Sequence, residues 1–85
     1  MSNKTKISEL ELIDMIGDNL RDLLVETGYS QNELAKEAGL SQAAISRYVN
    51  KQRLPSLRAI INMSYVLECS IDDIVPNLYL VEGLL

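Results

Sequence analysis

The chain has no histidine, tryptophan or phenylalanine, and its only cysteine is Cys69. A single cysteine cannot form an internal disulfide, and without histidine the sequence lacks the usual zinc ligands and an imidazole base. We therefore expect no metal, no cofactor and no nucleophilic triad, and we predict that the protein is not an enzyme. The 12 acidic residues, most of them on predicted helix surfaces, are expected to provide solubility rather than acid-base catalysis.

Long apolar runs are also missing. No segment approaches the roughly 18 apolar residues of a membrane span, and the N-terminus MSNKTKISELE has no apolar signal-peptide core. Only two of the 85 residues are proline and 47% are apolar, which is typical of one small globular domain. We expect a cytoplasmic protein without a membrane partner.

What the sequence does contain is a series of helix signals. Ser8 and Ser30 are each followed three residues later by glutamate in capping-box spacing, and Gly28 and Gly39 follow as helix ends. The predicted helix starts are Ser8, Ser30, Ser41, Ser56 and Ser70. We therefore predict an all-α fold of five helices.

Apolar residues with a 3.6-residue period indicate which faces point inward. In helix 1 these residues are Leu12, Ile13, Ile16, Leu20, Leu23 and Leu24. In helix 2 they are Leu34, Ala35 and Ala38. In helix 4 we predict that Leu57, Ile60, Ile61, Ser64 and Leu67 point inward.

Helices 2 and 3 are short and are separated by Gly39. Glycine can take the left-handed conformation that a sharp turn requires, without a Cβ penalty. The small Ala35 and the later Ile45 have a spacing that lets the two helices pack closely, while Leu40 fills the turn. The outer face of helix 3 has no large apolar residue; it consists of Gln42, Ala43, Ser46, Arg47 and Asn50.

The stretch GYSQNELAKEAGLSQAAISRYVN resembles the helix-turn-helix of the phage repressor and Cro family, also called the xenobiotic-response-element family. The resemblance covers about Ile16 to Val75. It implies that 16–75 are the helix-turn-helix domain; we therefore expect 1–15 to be an N-terminal arm and helix 1 extension, and 76–85 to be an apolar tail and possible dimerisation segment. It also implies that helix 3 enters the major groove of double-stranded DNA.

Residue by residue, the resemblance implies two sets of DNA contacts. The residues facing base edges would be Gln42, Ala43, Ser46 and Arg47. Those facing the DNA backbone would be Gln31, Asn50, Lys51 and Arg53, to which we add Ser41. Gln31 and Ser41 lie at the starts of helices 2 and 3, where free N–H groups and the helix dipole favour phosphate.

The charge distribution agrees with a DNA face, although the net charge is −4. The stretch from Ala38 to Leu67 contains four basic residues and no acidic one. The first 27 residues, in contrast, contain six acidic residues and three basic ones. We therefore expect the negative charge to lie mostly on the helix 1 side, away from the DNA.

These observations predict a sequence-specific transcriptional regulator, a repressor that binds a palindromic operator as a homodimer and needs no small-molecule ligand. The alternative is an antitoxin or coregulator that uses the same fold chiefly to bind another protein. Exposed leucine, phenylalanine or glutamate on helix 3 would favour that alternative. The polar set on this helix favours DNA.

Two positions depart from the family pattern. Glu68 stands where glycine often follows helix 4, so this turn either avoids positive φ or carries strain of about 1 kcal/mol. Leu24 and Val49 stand where the family often has a buried arginine and glutamate. We expect these two residues to be neighbours that replace an ion pair as a unit.

The tail after Pro76 contains five large apolar residues, Leu78, Leu80, Val81, Leu84 and Leu85. A free tail of this kind would favour aggregation, so we expect it to be buried at a dimer interface. Truncation after Pro76 should therefore shift the mass measured by sedimentation from dimer towards monomer. An unchanged dimer would place the interface elsewhere.

Overall fold

The computed structural model describes residues 6–76, which form five α-helices and no β-strand. The helices are α1 (Glu9–Thr27), α2 (Gln31–Ala38), α3 (Gln42–Val49), α4 (Leu57–Val66) and α5 (Ile71–Ile74). The predicted all-α, five-helix architecture is therefore confirmed. Residues 1–5 and 77–85, and with them the tail predicted to support dimerisation, lie outside the described residues. Within residues 6–76, no helix is long and apolar enough to span a membrane.

Each of these helices begins directly after a serine in extended conformation, as the sequence predicts. The Glu11 N–H donates to the Ser8 hydroxyl at 3.1 Å, and the Ser8 N–H donates to the Glu11 carboxylate at 2.9 Å. Ser30 and Glu33 form the same reciprocal pair. A serine N-cap typically contributes about 1 kcal/mol. Because α2 and α3 have only eight residues each, their caps matter more than those of a long helix.

The core is formed by side chains from all five helices. α3 packs on α1 and α2, α4 packs on α2 and α5, and α5 also contacts α1. The buried apolar residues are Ile16, Leu20, Leu34, Ala35, Ala38, Ile45, Tyr48, Val49, Ala59, Ile60, Met63, Leu67 and Ile74. The inward residues predicted for helix 2 are confirmed, and in helix 1 the centre of the predicted stripe is buried.

The predicted inward face of α4 is partly wrong. Leu57 and Ile61 are 70% and 46% exposed, whereas Ala59 and Met63 are fully buried. The reason is that α4 is apolar around more than half of its circumference, so a helical period fits two different stripes. The packing of α2 and α5 against α4 decides which stripe enters the core.

The chain leaves α4 through a left-handed turn that contains no glycine. Glu68 has φ 53°, and its N–H donates to the Tyr65 carbonyl at 3.2 Å. The Cys69 N–H donates to the Ser64 carbonyl at 3.0 Å. The sequence left open whether this turn avoids positive φ or is strained, and the structure shows that Glu68 is strained. Positive φ costs a residue with a Cβ atom about 1 kcal/mol or more.

Leu24 and Val49 provide a test of how α1 is aligned with α3. Val49 is buried and Leu24 packs half-buried against the core. Leu24→Arg should lower the free energy of unfolding sharply, because one charge buried without its partner costs up to about 3 to 5 kcal/mol. Adding Val49→Glu should recover at least about 1 kcal/mol, as contacting residues do in a double-mutant cycle.

Chemical denaturation of the parent, the two single variants and the double variant measures this coupling. Additive losses, or a Leu24→Arg variant as stable as the parent, would mean that the two positions are not a contacting pair.

Candidate nucleic-acid interface

The direction of α3 is set first by the turn that precedes it. Gly39 ends α2 with φ 71°, the left-handed conformation in which a Cβ atom is strained. The Leu40 N–H donates to the Ala35 carbonyl at 2.9 Å, which closes the turn. Ala35 is buried beneath it, and Ile45 of α3 is fully buried. The three residues predicted to build the turn thus lie where α2 and α3 meet.

The outer face of α3 points away from the core. Gln42, Ala43 and Arg47 are exposed, and Ser46 is half-buried. The first turn of α3 contains no acidic residue. The face therefore combines amide, methyl, hydroxyl and guanidinium groups, which suit hydrogen bonding and apolar contact with base edges.

The N-termini of α2 and α3 differ in how their backbone N–H groups are used. At α2, the Glu33 carboxylate accepts the Ser30 N–H at 2.9 Å, and this hydrogen bond lowers the pKa of Glu33. The start of α2, where Gln31 is half-buried, thus already holds a negative group. At α3, the exposed Ser41 hydroxyl accepts the Ala44 N–H at 3.0 Å and no carboxylate takes part. The N-terminus of α3 is therefore the better placed of the two for a phosphate.

Asn50, expected at the DNA backbone, has contacts within the protein. It is the C-cap residue of α3, and its amide nitrogen donates to the Ser46 hydroxyl at 3.2 Å. Its amide oxygen accepts a hydrogen bond from the Arg21 guanidinium at 3.4 Å. The Asn50 side chain therefore links the last turn of α3 to α1.

Lys51, also expected at the backbone, is bound by two carboxylates of α1. Its ammonium lies 2.8 Å from Asp14 and 2.7 Å from Asp18. Hydrogen bonds to these carboxylates raise the pKa of Lys51. Its aliphatic stem passes over Gly17, where an added Cβ atom would lie 2.6 Å from Lys51 Cγ. Lys51 has φ 61°, a strained conformation for a residue with a Cβ atom. The residue that joins α1 to the end of α3 is therefore itself strained.

Sequence reasoning missed Arg21 as a second connection between these helices. Its Nε donates to the Val49 carbonyl at 3.0 Å, where a cation suits the negative C-terminal end of α3. One signal pointed to it: Arg21 lies three residues before Leu24, on the side of helix 1 that the resemblance places against Val49. Arg53, in contrast, is exposed in the loop after α3 and is the other basic residue expected at the DNA backbone.

The pairing of Lys51 with α1 can be tested by Lys51→Met, which keeps the stem over Gly17 and removes the ammonium. We expect a lower urea midpoint than in the parent, because Asp14 and Asp18 lie one helical turn apart and repel each other without a cation. The loss should shrink at high salt, where charges are screened. Lys36→Met, at an exposed position of α2, is the control and should change little.

Equal midpoints for the two variants at low salt would mean that the ion pair does not stabilise the fold. The expected contact of Lys51 with the DNA backbone stays a prediction. Loss of a phosphate contact would reduce the slope of log K against log salt by about 1.

The geometry agrees with comparisons to known proteins. The Helix-turn-helix family model matches residues 20–74. The restriction-modification controller protein C.AhdI from Aeromonas hydrophila is 27% identical, with a TM-score of 0.70 over 73% of this chain and 94% of its own. A hypothetical transcription factor, NHTF from Neisseria, is 22% identical with a TM-score of 0.74 over 99% and 98% of the two chains, which supports the fold. No curated protein sequence matches.

The matched region covers more than half of the chain and includes the turn at Gly39 and all of α3. The chain therefore belongs to the helix-turn-helix family, of the phage repressor and Cro type, and is a DNA-binding transcriptional regulator.

Proposed function

We propose that the protein is a sequence-specific repressor that reads a palindromic operator with α3 in the major groove. The observation that carries this proposal is the outer face of α3, which is mostly exposed and has no acidic and no large apolar residue. It lies within the longest acid-free stretch of the chain, from Ala38 to Leu67. An acid-free face reduces repulsion from phosphates and leaves the base-reading groups accessible.

Base readout follows from the chemistry of four side chains. Gln42 can pair with adenine through two hydrogen bonds, and Arg47 can do the same with guanine. The Ala43 methyl fits against a thymine methyl. The Ser46 hydroxyl accepts from Asn50, which leaves its own hydrogen to donate to a base.

Contacts with the DNA backbone would lie around this face. The Ser41 hydroxyl and the free N–H groups at the start of α3 are placed for one phosphate. Gln31 at the start of α2 and Arg53 after α3 would bind others. Asn50 and Lys51 belong to this set only if they exchange their contacts with α1 for phosphate.

Two copies are needed for useful affinity because α3 has only eight residues, and we assign base readout to only four of its side chains. Two-fold-related subunits read half-sites about one DNA turn apart, which doubles the number of contacts and makes the operator palindromic. Repression requires only that the operator is occupied. Binding chiefly to another protein, as an antitoxin or coregulator, is the competing function, and the polar outer face of α3 disfavours it.

Arg47→Ala tests the base readout. The variant should lose about 1 to 3 kcal/mol of binding to the selected operator, and the preference at one base pair per half-site should relax. Lys36→Ala removes the same charge from an exposed position on α2 and is the matched control, for which we expect only a small loss. Selection from random DNA followed by binding titration of both variants provides the measurement.

The proposal fails if the selected DNA shows no enriched palindrome. It also fails if Arg47→Ala binds the selected operator as tightly and as selectively as the Lys36→Ala control.

A further inference from the structure

α4 has an exposed apolar stripe that is not part of the core. Leu57, Ile61 and Tyr65 follow one another at four-residue intervals and therefore lie along one side of the helix. Their exposures are 70%, 46% and 84%, whereas Ala59, Ile60 and Met63 on the other side are buried. A contiguous exposed patch of large apolar side chains usually marks an interaction surface.

This stripe is separate from the face proposed to read DNA. α4 packs on α2 and α5, whereas α3 packs on α1 and α2. Beside the stripe, Ile61 and Tyr65 line a groove whose opposite wall is the end of α2, with Glu37 and Gly39. A partner bound to α4 would therefore use side chains other than Gln42, Ala43 and Arg47.

The two ends of the stripe carry opposite charges. Arg58 is exposed in the first turn of α4, and Glu68 is exposed just beyond its last turn. Ten residues of helix span about 15 Å, too far for these two groups to pair within one chain. When two such helices lie antiparallel, each arginine approaches the glutamate of the other helix. When they lie parallel, like charges meet.

We propose that this face of α4 binds a second copy of the chain, with the two α4 helices antiparallel about a two-fold axis near Ile61. Leu57 then packs against the partner's Tyr65, and the long Arg58 side chain extends along the helix towards the partner's Glu68, about one turn further on. A two-fold interface must be self-complementary, and the apolar centre with opposite charges at its ends meets that requirement. The inference rests on the proposed function, which needs two copies on one operator, and identifies the surface that joins them.

The composition of the patch suits the centre of such an interface. Tyrosine and arginine are enriched at protein interfaces, and a few central side chains carry most of the binding energy. A stable interface buries about 800 Å² per partner, so the three apolar side chains are its centre and the neighbouring surface completes it.

Sedimentation of the full chain without DNA tests the proposal. The parent should form a dimer, and Ile61→Asp should raise the dimer dissociation constant by about tenfold or more, because it places a charge at the axis. Val25→Asp is the matched control, since Val25 is 83% exposed on α1, and it should dimerise as the parent does. Circular dichroism should show the same helix content in all three proteins.

A charge exchange tests the antiparallel arrangement itself. Arg58→Glu should weaken the dimer, and Arg58→Glu combined with Glu68→Lys should restore it, because the two positions can pair only between copies. Truncation after Pro76 distinguishes the tail from α4 as the main contact.

Four results would overturn the proposal: a monomeric parent, an Ile61→Asp dimer as tight as the parent, no restoration by the charge exchange, or a dimer that only the truncation abolishes. Because DNA is absent, these results stand whether or not the predicted base readout is correct.

Discussion

A helix of eight residues does not hold its own shape in water, and α3 is such a helix. The rest of the described structure supplies what α3 lacks. The turn at Gly39 and the Ser41 cap fix its beginning, and Ile45, Tyr48 and Val49 fix its inner face in the core. Its other end is held on α1 by Arg21 and Lys51. Because both ends are held, the outer face of α3 has a defined direction, which base recognition requires.

The attachment at the end of α3 combines strain with ion pairing. Lys51 has a positive φ, which is unfavourable for a residue with a Cβ atom. That conformation carries its stem over Gly17 and its ammonium between Asp14 and Asp18, whose mutual repulsion it relieves. An acidic α1 and an overall charge of −4 are compatible with a DNA-binding protein, because α3 itself contains no acidic residue and two of the α1 carboxylates are paired with Lys51.

The features that could be predicted are those that depend on residues close together in the sequence. The serine caps and the ends at Gly28 and Gly39 follow from local backbone chemistry, so spacing alone located them. The exposed side of α4 could not be predicted, since Leu57 and Ile61 fit a helical stripe as well as Ile60 and Leu67 do. The partners of Lys51 were missed for a related reason: Asp14 and Asp18 are more than 30 residues away in sequence, and only the packing of α1 against α3 brings them close.

The placement of Lys51 affects how binding energy is divided between phosphates and bases. A lysine held by two carboxylates contributes less to sequence-independent attraction than a free one, because its charge is compensated locally. The acidic remainder of the chain weakens that attraction further. In the proposed dimer, base contacts from Gln42, Ala43 and Arg47 of both copies would then supply a larger share of the affinity. If the two copies associate weakly before they meet DNA, occupancy depends on nearly the square of protein concentration, which makes the response of the operator steep.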